Sequence, residues 1–246
     1  MQVNWNDGMI IHMKRRFPLL LILLVALSGC SSMRTEDADV VREQRQTALR
    51  NALSQATDKV PVTLFATTTT ATFLTSSSQP LLTMTEIPLL QHYLGTYRTL
   101  CQNAFRATLL SMPDEVKGIA QTMGIPDPKA VIDRRDDSMT EQLATTYATP
   151  LKEAISKHLE TELADAQAML GRILTMYRIW DTGKQHVGEK ALPEVSEPTL
   201  QAYTDLFFDR YIASLRTQEI DVRTTPRLVG SGSLYEFFAK EKETRK

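Results

Sequence analysis

Cysteine is nearly absent. The 246 residues hold two, Cys30 and Cys101, too few for the disulfide framework of a stapled secreted scaffold. A basic excess is missing as well. Lys and Arg number 28 against 29 Asp and Glu, a formal charge of -1, so nothing stands ready to neutralise phosphates and nucleic acid is not an expected partner. No run of 18 consecutive apolar residues occurs. A helix that crosses a bilayer needs about 20, so no transmembrane anchor is expected. Catalytic signatures are lacking too. There is no Gly-x-Ser-x-Gly and no His-Glu-x-x-His, and the four His are scattered, which puts an envelope hydrolase last among the functional readings.

What is present begins with an address. Lys14-Arg15-Arg16 is followed by an apolar stretch, Phe17 to Leu27, broken only by Pro18, and then by Leu27-Ser28-Gly29-Cys30. A basic cluster, a short apolar run and small residues at a cleavage point form a secretory signal peptide, here residues 1–29. Leu27, Ser28, Gly29 and Cys30 resemble the lipobox of bacterial lipoproteins. That resemblance implies a diacylglycerol on the Cys30 thiol, cleavage before it and acylation of the new N-terminus. Ser31 rather than Asp follows the cysteine, which in the enteric sorting pattern implies the outer membrane, on its periplasmic face. Met13 directly precedes the basic cluster and reads as the true start. Loss of residues 1–29 removes Asp7 and the three cations and takes the net charge from -1 to -3. If Cys30 is acylated, Cys101 has no partner, and its place in an apolar helical stripe predicts burial.

The remaining chain, 42% hydrophobic and 23% charged, is globular in composition. Residues 30–39 read as a lipidated tether. Residues 40–84 hold an N-terminal helix, with Val40, Val41, Leu49, Ala52, Leu53 and Ala56 on one face, and then a Ser/Thr-rich segment. Within that segment 62–74 is β-branched enough to be a candidate strand, with a plain loop as the equal alternative. Residues 85–246 form the helical domain. Thr85-Glu86-Ile87-Pro88 opens a helix with a stripe from Leu90 to Leu109, and Ser111-Met112-Pro113-Asp114 starts a shorter one that stops at Gly124. Asp127-Pro128 starts a helix to about Ala148, whose Asp133–Asp137 cluster reads as a solvated, self-paired face. Thr149-Pro150 opens the longest pattern, Leu151 to Trp180, expected to be one central helix with Leu159, Leu163, Leu170 and Tyr177 in the core and a bend or close helix crossing at Gly171. His158 and Glu162 within it read as an exposed i,i+4 pair rather than metal ligands. Pro198 starts a further helix, and Leu234, Phe237 and Phe238 dock a terminal one. The fold class is therefore mainly α, a multi-helix bundle around residues 150–180.

Several short motifs resemble an uncharacterised proteobacterial lipoprotein family over residues 112–246. They are Met112-Pro113, Gly124-Ile125, Pro150 with Ala154-Ile155, Asp165-Ala166 with Met169-Leu170, Leu192-Pro193 with Val195, and Leu234-Tyr235-Glu236-Phe237-Phe238-Ala239. The resemblance implies an exported, predominantly helical protein and brings no activity. With no catalytic set, no metal site and no cofactor motif, the expected function is a non-enzymatic envelope lipoprotein held to the membrane by its lipid and binding another envelope protein. The alternative is a carrier of lipid or another small ligand in a cavity between helices.

Overall fold

The apolar stripe that begins at Leu90 becomes one helix of 33 residues, and other elements of the body pack against it. The computed structural model describes residues 17–225 and 232–244, with side chains described from Ala38 onward. Among the described residues it is 76% helical, with nine helices and no strand, a mainly-α multi-helix bundle. The helices are α1 (Phe17–Asp58), α2 (Thr70–Phe73), α3 (Leu90–Thr122), α4 (Pro128–Arg134), α5 (Ser138–Thr145), α6 (Ala148–Glu162), α7 (Ala164–His186), α8 (Leu200–Thr224) and α9 (Gly232–Glu243).

The chain divides into two units, Met1–Thr47 and Ala48–Lys246. In the first, Val40 and Val41 are exposed, contrary to the apolar face expected of them. In the second, Leu49, Ala52, Leu53 and Ala56 are fully buried, as the 3.6-residue spacing requires. The backbone is helical through the segment read as a tether, because α1 starts at Phe17.

Two helix boundaries moved for physical reasons. The start at Thr85–Pro88 is displaced to Leu90, with Leu89 as the capping residue in a left-handed conformation (φ 61°). The second helix expected at Ser111 does not restart, because α3 runs on through Pro113. An interior proline forfeits one hydrogen bond and costs about 3 kcal/mol. Burial opposes that cost: Leu109, Met112, Val116 and Ala120 all lie on the inward face.

The candidate strand at 62–74 is not a strand. A strand needs a partner for its ladder, and among the described residues none exists. The backbone instead closes successive i to i+3 turns, Leu64 N–H to Pro61 O, Ala66 to Thr63, Thr68 to Phe65 and Thr72 to Thr69. Gln102 Nε2 on α3 donates to two of the remaining carbonyls, Ala66 O (3.0 Å) and Thr68 O (2.9 Å). Phe65 and Phe73 fix the segment by reaching Phe105, at 4.9 and 5.2 Å between ring centroids.

The run expected as one helix from 150 to 180 divides at Leu163, not at Gly171. Leu163 has φ −84° and ψ −2°, short of helical ψ, although its N–H still reaches Leu159 O and its carbonyl accepts from Gln167. α6 packs against α3 and α8, and α7 packs against α3. Around Gly171 an added Cβ would meet nothing within 4 Å, so no helix crosses closely there. Leu159, Leu163, Leu170 and Tyr177 are all buried, as the stripe predicts. Leu163→Ala should cost about 2–5 kcal/mol in chemical denaturation, because its side chain fills the junction of the two helices. A loss under about 0.5 kcal/mol would place that side chain outside the packed interior.

Candidate functional site

The residues with a functional assignment from sequence are Leu27, Ser28, Gly29 and Cys30. Their backbone belongs to α1, and their side chains lie outside the described residues, as does the Lys14–Arg16 cluster. In the body, three arrangements of chemistry-bearing side chains stand out.

The first is an ionic junction where α5, α8 and α9 meet. The helix expected from 127 to about 148 opens as foreseen, with Asp127 Oδ1 accepting from Ala130 N–H (3.0 Å), but breaks at Arg135–Asp137. The Asp133–Asp137 cluster is therefore not a solvated face throughout. Asp133, Arg134 and Arg135 are exposed, whereas Asp137 is 2% exposed. Its carboxylate accepts from Arg135 Nη2 (2.8 Å) and lies 3.0 Å from Arg216 Nε, while Arg216 Nη2 donates to Glu141 (3.1 Å). Asp136 pairs with Lys242 of α9 at 2.5 Å. Asp137 thus makes no capping bond to α5. Glu219, from α8, caps that helix instead. Its carboxylate accepts from Met139 N–H (3.2 Å), Thr140 N–H (2.7 Å) and Thr140 Oγ1 (2.7 Å). Negative charge there also meets the positive end of the helix dipole.

Arg223, one turn on, donates through Nη1 to Glu219 (3.0 Å) and to Ser138 Oγ (3.0 Å), and its guanidinium lies 4.6 Å from the Phe238 ring centroid. Both members of this pair are buried. Burial raises the Glu219 carboxyl above the ordinary carboxylate range, against the lowering pull of Arg223 and Thr140. Ser138 spends its proton on Val131 O (2.8 Å) and faces a cation rather than a base, so the hydroxyl is not arranged as a nucleophile. The junction fixes α5 and α9 to α8. Sequence reasoning missed it, although the pair continues the Tyr211–Leu215 stripe at four-residue steps.

The second is a buried hydroxyl and thiol group between α3 and α8. Tyr97 donates to Phe73 O (3.1 Å), which leaves Tyr203 to donate to the Tyr97 oxygen (2.6 Å). Cys101 lies against Tyr97 and is fully buried, as its stripe predicts. Burial pushes its thiol up to about 12 and raises both phenols, so none of the three ionises near neutral pH.

The third is open to solvent. At the C-terminal end of α7, Ile179, Trp180, Gly183, Lys184, Val187 and Glu189 line a groove of about 280 Å³. Ile179 is 68% and Val187 71% exposed. Lys184 holds Glu86 (2.6 Å) and Glu189 (3.3 Å), and those carboxylates raise its pKa. Three residues beyond Glu86, Leu89 is 66% exposed. A non-glycine residue with positive φ is uncommon and costs on the order of 1 kcal/mol. A second groove of about 330 Å³ between α4 and α5 is more polar, but its groups are engaged within the chain, Gln142 with Gly124 O and Glu141 with Arg216.

His158 does not pair with Glu162. Its Nε2 lies 3.0 Å from Glu115 Oε1, because α6 packs against α3 and brings a nearer carboxylate to it. Among the described residues no three His, Cys, Asp or Glu converge as a metal site, and no helix is long and apolar enough to cross a membrane. Compared with known proteins, the chain matches no family model, no curated protein and no solved structure.

Proposed function

We propose that this protein is a lipid-anchored envelope lipoprotein whose helical body binds another protein without catalysis. The observation that carries the reading is the order of basic cluster, short apolar run and Leu27-Ser28-Gly29-Cys30. A lipid on Cys30 supplies membrane affinity of about 0.8 kcal/mol per buried methylene, and more than one chain is needed for stable attachment. Ser31 rather than Asp after the cysteine supports an anchor in the outer membrane, facing the periplasm. Cys30→Ser should remove the protein from its normal membrane position, leaving soluble protein or an unprocessed precursor. Fractionation showing mature, membrane-bound Cys30→Ser protein would end this reading.

The docking face of the body is the α7 groove. Its two protruding aliphatic side chains, Ile179 and Val187, and the paired charges of Lys184 and Glu189 present apolar surface with its lining charges engaged, the composition of an interface centre. The carrier reading needs interior volume. The space between α3 and α8 is instead filled by Phe65, Phe105, Phe207 and Tyr203, all buried, and the favoured function is docking. A photo-crosslinking residue at Ile179 should give a discrete adduct in intact cells, and one at exposed Glu160 on α6 should not. Adducts of equal yield from both positions, or from neither, would count against docking at this face.

A further inference from the structure

We draw no further inference here: the strongest candidate, the apolar groove at the C-terminal end of α7 between Ile179, Trp180 and Val187, belongs to the docking face already described, and nothing in the structure shows what covers it.

Discussion

Arg223→Met should lower stability by about 3–5 kcal/mol at pH 7, the cost of leaving a buried charge without its partner. The variant keeps most of the side-chain volume against Phe238 and removes the counter-ion of Glu219. The loss should depend on pH, with a defined sign. Glu219 already has a raised pKa in the folded chain, so the fold holds that proton more tightly than the unfolded chain does. Its contribution is complete below the unfolded carboxyl value, about 4.3, and is lost as pH rises through the folded value. Arg223 opposes the shift, and without it the folded value climbs further. The deficit of Arg223→Met should therefore be small near pH 4 and grow towards neutrality. Adding Glu219→Gln should recover much of the loss at pH 7, because the amide removes the orphaned charge and its oxygen still accepts from α5. Denaturation at both pH values decides it. Equal deficits at the two, or a double variant no better than the single, would show that the pair is not coupled as the geometry requires.

Phe105→Ala should cost about 3–5 kcal/mol. Phe105 is fully buried, and its ring meets Phe65 edge-on, Phe73 edge-on and Phe207 at 5.5 Å. Such pairs add about 0.5–1.5 kcal/mol beyond area burial. Two of these partners, Phe65 and Phe73, hold the irregular 62–78 segment against α3. Hydrogen exchange should consequently accelerate most at the turn amides Thr68 and Thr72. Phe105→Leu should lose less, since more of the volume stays filled. A loss below about 1 kcal/mol for the alanine variant would mean that the aromatic cluster does not anchor the segment.

Periodicity disclosed the burial pattern better than it disclosed the breaks. Leu159, Leu163, Leu170 and Tyr177 share one inward face on either side of the interruption, because a residue with φ and ψ near the helical region barely disturbs the 3.6-residue phase. For the same reason the interruption at Leu163 leaves no mark in the stripe, whereas Gly171, expected to mark a bend or a close helix crossing, sits inside a continuous helix. Local propensity makes Pro113 a helix boundary, and tertiary burial of Met112 and Val116 overrides it. The Thr-rich stretch failed as a strand because strand propensity has meaning only with a partner, which is a property of the whole chain. The Glu219–Arg223 pair was legible in principle: two opposite charges four residues apart stand where an apolar stripe should continue. What no pattern along the chain could supply was their partner helix, since Thr140 lies 79 residues from Glu219 in sequence. The groove at α7 was hidden for a similar reason. Ile179 belongs to an apolar-looking helix end, and its exposure follows from what α7 does not pack against.

The central claim is lipid attachment at Cys30, and metabolic labelling with a clickable palmitate analogue tests it most directly. Wild-type protein from labelled cells should carry the label, and Cys30→Ser protein should carry none. Equal label on both would remove the lipobox reading and with it the outer-membrane location.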